Sequence, residues 1–153
     1  MSKFPIKISY GIMATIELAQ QENSLPLQAK VIAKRQGIPA RFIEQILQNL
    51  KQSGIVRSLR GPQGGYILAR HPHQISLEDL VNAFNGTMAE SLLPAWSGNG
   101  GFPEGREAHH AILADVWQQV REAEQEVLRK ISIQRLAEQY QKLESQRGMM
   151  YHI

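Results

Sequence analysis

The sequence predicts a mainly α-helical fold with one small β-hairpin, and three features of the chain lead to this prediction. Glycine and proline separate two short β-like runs between Arg57 and Leu68. Upstream, two short helical segments meet at Gly37-Ile38-Pro39. Downstream, apolar residues recur with helical spacing from Arg106 to Ile131. The order helix, turn, helix and hairpin predicts a winged helix-turn-helix domain, and the downstream run predicts a long C-terminal dimerisation helix.

The hairpin prediction rests on the run Arg57-Ser-Leu-Arg-Gly-Pro-Gln-Gly-Gly-Tyr-Ile-Leu68. Its turn consists of Gly61, Pro62, Gly64 and Gly65. Glycine reaches the backbone angles that a tight reversal needs, and proline fixes one φ angle. The hairpin also carries Arg57 and Arg60, and it contains no acidic residue. These features together predict a basic wing.

The helices are predicted from apolar periodicity and from residues that begin or end helices. We expect helices over residues 6–21, 29–36, 39–53, 77–84, 106–131 and 132–145, and a short strand over 25–28 that pairs with the hairpin. Gly37 and Gly54 follow helices two and three, where glycine is favoured. Ser76 with Asp79 three residues later resembles a capping box.

These elements divide the chain into four segments. Residues 1–85 are predicted to form the winged helix-turn-helix domain, and residues 86–105 a flexible loop. That loop is rich in glycine, proline and serine and is long for a compact domain. Residues 106–146 are predicted to hold the dimerisation helix and a terminal helix, and residues 147–153 a frayed tail.

Composition excludes several classes of protein. The chain of 153 residues contains no cysteine, which excludes disulfides, thiol catalysis and cysteine-ligated clusters. It has no apolar run long enough to span a membrane and no recognisable secretion signal. No nucleophile–base pair, glycine-rich phosphate loop or set of metal ligands points to an enzyme. We therefore expect a cytoplasmic protein that is not an enzyme and uses no cofactor.

The charge is distributed unevenly. Residues 30–70 hold eight basic residues and a single acid, Glu44, which gives this block a net charge of +7. Residues 71–153 hold seven basic and eleven acidic residues, for a net charge of −4. A concentrated basic block is typical of a surface that binds a polyanion such as DNA. The alternative is a solvated basic face without a partner.

The long helix carries an apolar stripe that needs a cover. The residues expected to form the dimer contact are Ile112, Val116, Trp117, Val120, Val127, Leu128 and Ile131. We expect the same helix of a second chain to cover them, because two reading heads one helical turn apart match a palindromic operator. The alternative is a helix that folds back on its own domain.

Several of these segments resemble the Rrf-two family of bacterial winged-helix regulators, whose members include IscR, NsrR and CymR. The segments that carry this resemblance are Arg35-Gln-Gly-Ile38, Ile43-Glu-Gln-Ile46, Leu50-Lys-Gln-Ser-Gly-Ile-Val-Arg-Ser58, Arg60-Gly-Pro-Gln-Gly-Gly-Tyr-Ile-Leu-Ala69 and Ile75-Ser-Leu-Glu-Asp-Leu-Val81. The resemblance implies dimerisation through the long helix and binding to palindromic operators. It also implies that the helix from Pro39 enters the major groove, while the wing reaches the minor groove.

The DNA-binding residues are predicted partly from this resemblance and partly from chemistry. The predicted set is Arg41, Glu44, Gln45, Gln48, Lys51, Arg57, Arg60, Gly61, Lys34 and Arg35. By resemblance, Arg41 and Glu44 face bases or phosphates, and Arg60 enters the minor groove. By chemistry, an acid facing DNA can accept a hydrogen bond from cytosine N4, whereas lysines contact phosphates.

Each of these residues also has an alternative reading. Glu44 and Arg60 are then ordinary surface charges, and Arg57 pairs with an acid in its own fold. Gln45 and Gln48 read adenine in one interpretation and face water in the other.

The chain departs from the family pattern in its loop. Sensing members hold an iron–sulfur cluster through three loop cysteines, and no cysteine is present here. His109 and His110 lie near the position of a ligating histidine in some relatives, yet adjacent helical residues point about 100° apart and chelate poorly. Trp96 and Phe102 either cover a site for an effector or pack into the core.

The function predicted from these observations is a homodimeric transcription regulator, a repressor that binds double-stranded DNA at a palindromic operator without an iron–sulfur cluster. An effector or protein partner of unidentified class adds to this prediction. The alternative function is a winged-helix module that binds other proteins and not DNA.

Overall fold

The computed structural model describes residues 5–84 and 105–151, and its elements follow the predicted order. They are α1 (Ile6–Ala19), α2 (Ala29–Gln36), α3 (Ala40–Gln52), β1 (Val56–Leu59), β2 (Gly65–Leu68), α4 (Leu77–Ala83), α5 (Glu107–Lys130) and α6 (Ile133–Tyr151). Short 3-10 turns at Glu22–Ser24 and Pro72–Gln74 lie between α1 and α2 and between the hairpin and α4. The predicted mainly α fold with a winged helix-turn-helix arrangement is confirmed.

One apolar cluster joins α1, α2, α3, the start of β1, α4 and the start of α6. Its largest fully buried members are Ile32, Ile43, Ile46, Leu47, Leu50, Ile55, Ile75, Leu80 and Ile133. The contribution from α3 is an apolar stripe of Ile43, Ile46, Leu47 and Leu50, whose spacing places those side chains on one face of the helix. Burial of this face directs the polar side chains of α3 outward.

The turn between α2 and α3 has the geometry that its sequence predicts. Gly37 adopts the left-handed conformation (φ 65°, ψ 32°) at the end of α2. The Ile38 amide then donates to the Ala33 carbonyl at 3.0 Å, and Pro39 precedes the first residue of α3. A glycine at this position ends α2 without strain, because side chains disfavour a positive φ.

The wing is a two-stranded antiparallel hairpin that a third segment extends. Its register places Val56 opposite Leu68 and Leu59 opposite Gly65. Leu27 forms a single β-bridge with Tyr66, which confirms the predicted pairing of residues 25–28 with the hairpin. A Cβ atom on Gly65 would approach the Leu27 carbonyl oxygen to 2.5 Å, so this close strand contact requires glycine.

The capping box predicted at α4 is present. The Ser76 hydroxyl accepts from the Asp79 amide at 3.2 Å, and the Asp79 carboxylate accepts from the Ser76 amide at 3.0 Å. Beside it, α4 and the α5–α6 junction share main-chain hydrogen bonds. The Leu77 amide donates to the Ile131 carbonyl at 2.9 Å, and the Ile133 amide donates to the Ile75 carbonyl at 2.8 Å. The end of α5 is therefore fixed to the winged domain.

The terminal helix α6 differs from its prediction in two respects. Its first turns pack on the winged domain, where Ile133 and Ala137 are buried, rather than forming a separate unit with α5. It also continues to Tyr151, although a frayed tail was expected from Arg147. Met149 and Met150 favour a helix whereas Gly148 opposes it, and an exposed ion pair between Glu144 and Arg147 at 3.8 Å lies where the extension begins.

Some predictions lie outside the described residues. The predicted loop 86–105, with Trp96 and Phe102, falls almost wholly between the two described ranges. Among the helices of residues 5–84 and 105–151, none is both long and apolar enough to cross a membrane.

Candidate nucleic-acid interface

The outer face of α3 presents a row of polar side chains to solvent. Five predicted residues of this helix are exposed: Arg41, Glu44, Gln45, Gln48 and Lys51. Ile43 and Leu47, which alternate with them, are fully buried and hold the helix against the core. Gln45 and Gln48 therefore face outward with the charged residues, and all five side chains are accessible to a ligand lying along α3.

A shallow concave surface of about 510 Å³ runs along this face, and Arg41, Glu44, Gln45 and Gln48 line it. Lys7 from the first turns of α1 lines the same surface. The ring of Tyr10 meets that of Phe42 edge-on, with centroids 5.8 Å apart, and this contact holds the start of α1 beside α3. Sequence reasoning missed Lys7, because its nearness to α3 depends on tertiary packing.

The wing contributes a second set of exposed cations. Arg57 points outward from β1 while its neighbour Val56 is buried, as strand alternation requires. Arg60 and Gly61 lie at the exposed tip, where Gly61 adopts a positive φ of 112°. Within residues 5–84 and 105–151, neither arginine forms an ion pair, so the alternative in which Arg57 is paired within its own fold is not observed there.

The two predicted cations of α2 differ. Lys34 is exposed. Arg35 is bound within the fold, since its Nη1 atom donates to Glu17 Oε2 at 3.1 Å. Arg35 remains 49% exposed despite this contact, so its role as a phosphate contact stays a prediction, with part of its guanidinium already held by α1. Spacing along the chain does not reveal this partner.

The long helix α5 exposes most of its apolar stripe. Ile112, Val116, Val120 and Val127 are between 41 and 64% exposed, whereas Trp117 and Ile131 are half-buried. Within residues 5–84 and 105–151, no other part of the domain covers these four side chains. Leu128 is an exception to the predicted dimer set: it is buried against Ile8 and Val81 of the same chain and needs correction.

An ion pair adds to the attachment of α5. Arg129 Nε donates to Glu78 Oε2 at 3.1 Å, and Nη2 donates to Glu78 Oε1 at 3.4 Å. The hydrogen bond and the charge of Glu78 raise the pKa of Arg129 above its ordinary value. Leu128 and Arg129 thus hold the C-terminal turn of α5 on the winged domain, through contacts to α1 and α4.

The donor set of the chain does not fit an iron–sulfur cluster. Such clusters are held by cysteine thiolates, and the sequence contains no cysteine. Among residues 5–84 and 105–151, no group of three or more histidine or acidic side chains is placed to hold a metal ion. His109 and His110 both lie in the first turn of α5 and form no such group with the other described residues.

Comparison with known proteins agrees with this geometry. The model of the Rrf2 family, described as "Iron-dependent Transcriptional regulator", matches residues 5–139. The HTH-type transcriptional regulator CymR of Bacillus subtilis is 28% identical over 135 residues, which cover 88% of this chain and 89% of CymR.

Two solved structures share the fold. The structure of CymR, titled the global cysteine regulator of B. subtilis, superposes with a TM-score of 0.68 at 30% identity, covering 90% of this chain and 98% of that one. The structure of T. potens IscR superposes with a TM-score of 0.69 at 32% identity, covering 90% and 88%. These relatives are regulators and not enzymes, and the chain belongs to the Rrf2 family of DNA-binding transcriptional regulators.

Proposed function

We propose that the protein is a homodimeric repressor that binds a palindromic operator through α3 and the wing, without an iron–sulfur cluster. One observation carries the proposal. The exposed face of α3 and the exposed wing arginines belong to a single block of net charge +7, and Glu44 is its only acid. A basic surface that displays hydrogen-bonding side chains can combine attraction to phosphates with readout of bases.

The face of α3 suits the major groove, which is about 12 Å wide and admits one α-helix. In this arrangement Glu44 accepts a hydrogen bond from cytosine N4, and Arg41 donates to guanine or to a phosphate. Gln45 and Gln48 are accessible for bidentate contacts to adenine. Lys7, Lys34 and Lys51 lie at the margins and contact phosphates, which supplies affinity without sequence choice.

The wing suits the neighbouring minor groove. Arg60 lies at a narrow tip built from glycine and proline, so its guanidinium can enter a narrow groove without steric hindrance from neighbouring side chains. Narrow minor grooves have enhanced negative potential, which favours an inserted arginine. Arg57 lies further along the wing and contacts the flanking backbone.

The exposed stripe of α5 supports the dimer. Five exposed large apolar side chains on α5, Leu113 and the four named above, need cover, and a second copy of α5 related by a two-fold axis supplies a matching stripe. The two α3 helices of such a dimer then face half-sites about 34–36 Å apart, the repeat of one DNA turn.

Selection of bound duplexes from random DNA tests this function directly. We expect enrichment of an inverted repeat, and a mass of two chains for the free protein by light scattering. Retention should fall steeply as salt increases, because counterions are released on binding. A monomeric protein that retains no duplex at low salt would contradict the proposal and favour the protein-binding module.

Promoter fusions test the choice between repressor and activator. Expression from a promoter that carries the selected operator should fall when the protein is supplied and rise when it is removed. Higher expression in its presence would make the protein an activator.

A further inference from the structure

The buried acid Glu17 has no place in the function proposed so far. Its residue is only 8% exposed, and among the described residues it is the only buried side chain that carries a formal charge. Burial of a charge is costly unless hydrogen bonds compensate for it. Apolar packing therefore does not explain why a charged residue occupies this buried position.

Both carboxylate oxygens of Glu17 are occupied by the last two residues of α2. Oε2 accepts from Arg35 Nη1 at 3.1 Å, and Oε1 accepts from Gln36 Nε2 at 2.9 Å. The next residue is Gly37, which begins the turn into α3. Glu17 thus binds the two residues that directly precede the turn, and this turn sets the direction of α3.

The same region of α1 also contacts the terminal helix α6. Gln20 Nε2 donates to the Ala137 carbonyl at 2.9 Å, one turn beyond Glu17. Tyr140 lies close enough that burial and the charges of Glu144 and Glu17 raise the pKa of its hydroxyl. Glu17 is therefore at the meeting point of α1, the end of α2 and α6.

Stability alone does not account for this arrangement. The core that surrounds the turn already buries Ile32, Ile38 and Ile43 and holds α2 against α3. The Arg35 side chain is 49% exposed, so solvent weakens its attraction to Glu17, and the desolvation of the buried carboxylate offsets much of what remains. Two directional hydrogen bonds, however, restrict the angle between α2 and α3 more tightly than apolar packing does.

We infer that Glu17 is a positioning residue for operator reading, which acts through Arg35 and Gln36 to hold the α2–α3 turn at the angle that presents α3 to DNA. This inference rests on the proposed function. Glu17 itself is buried and makes no contact with DNA. Gln20, about one turn further along α1, holds the same stretch of helix against α6.

The test compares Glu17→Gln with Glu22→Gln in the full chain. Both variants remove one negative charge, but Glu22 is exposed on the turn after α1 and serves as the matched control. Each protein is titrated by fluorescence anisotropy against the selected operator and against a scrambled duplex of the same composition. The ratio of the two affinities measures sequence reading.

We expect Glu17→Gln to lower this ratio at least tenfold. Its affinity for the scrambled duplex should stay equal or rise, because the protein has lost a negative charge. The control should keep both affinities within about twofold of the wild type. A ratio for Glu17→Gln within twofold of the wild type would overturn the inference while leaving the proposed function intact. A wild type that binds no duplex would instead overturn the proposed function.

A second variant covers the case in which Glu17→Gln does not fold. Gln36→Met removes one hydrogen bond to Glu17 without changing the net charge. We expect a smaller fall in the affinity ratio and faster hydrogen exchange at the Ile38 amide, which donates across the turn. Unchanged exchange at Ile38 together with an unchanged ratio would show that the contact is only structural.

Discussion

The helices α3 and α5 are both amphipathic, but the apolar stripe of α3 is buried whereas that of α5 is largely exposed. In α3, Ile43, Ile46, Leu47 and Leu50 are all buried, and the polar face remains free for a ligand. In α5, Leu128 is the only buried residue, and the apolar face itself is exposed. Periodicity thus reveals that a stripe exists, whereas the covering surface belongs to the tertiary or quaternary structure. The predictions that follow test this contrast.

The largest effect is expected from a charge placed in the exposed stripe of α5. Val116→Glu puts a carboxylate where we propose that a second copy packs, so desolvation and repulsion between the two copies oppose pairing. We expect a change from two chains to one by light scattering and a loss of operator affinity of at least a hundredfold. Ala111→Glu adds the same charge to the opposite face of α5 and should change neither measurement. A Val116→Glu protein that remains dimeric would contradict the proposed interface.

A smaller loss of operator affinity is expected from a substitution in the wing, which together with the polar face of α3 forms the proposed DNA-binding surface. Arg60→Ala removes the cation proposed to enter the minor groove and should weaken operator binding by about 1–3 kcal/mol. The slope of log affinity against log salt should become shallower by about one unit, the contribution of one lost phosphate contact. Gln63→Ala changes an exposed residue of the same turn without changing charge, and its affinity and slope should match the wild type. An unchanged salt slope for Arg60→Ala would place this arginine away from phosphates.

A change in sequence choice, not in overall affinity, is expected at Glu44. Glu44→Ala should reduce discrimination at one base pair of each half-site by about 1–3 kcal/mol. The measurement is a set of titrations with single-substituted operators. Lys51→Ala lies on the same helix and should weaken all operators alike, because a phosphate contact carries no sequence information. If Glu44→Ala keeps the wild-type order of preference, the assignment of Glu44 to a base is wrong.

The smallest effect is expected at the N-terminal cap of α4, where the end of α5 is attached to the winged domain. Ser76→Ala removes the cap of α4, on which the end of α5 rests, and should lower the free energy of unfolding by about 1 kcal/mol. Chemical denaturation measures this change. Ser53→Ala removes an exposed hydroxyl beyond the end of α3 and serves as the comparison. A loss above about 2 kcal/mol for Ser76→Ala would mean that the cap supports the α5–α6 junction as well as α4.

Local signals account for the parts of the fold that the sequence predicts well. Gly37, Gly54 and the Ser76–Asp79 pair act on their nearest neighbours, so the helices they bound could be placed within two residues. The exposed row of α3 follows in the same way, because burial of its apolar stripe leaves one orientation for the helix.

Contacts between distant segments account for what the sequence did not reveal. Lys7 meets α3, Arg35 meets Glu17, and Leu128 meets Ile8 only after the helices have packed. Arg35 looked like any other cation of the basic block until its partner in α1 was known. The burial of Leu128 was equally hidden, since its position in the stripe matches that of residues that stay exposed.

The fixed C-terminal end of α5 has a geometric consequence. A helix of 24 residues is about 36 Å long, close to the repeat of one DNA turn. The main-chain hydrogen bonds at Ile131 and Ile133 attach the C-terminal end of α5 to the winged domain. A rotation at this attachment point therefore moves the far end of the helix relative to that domain. A tilt of only 5° at this joint displaces the far end by about 3 Å, nearly the rise of one base pair. In the proposed dimer, small rotations at this joint would therefore change the spacing of the bases that the two copies of α3 can match.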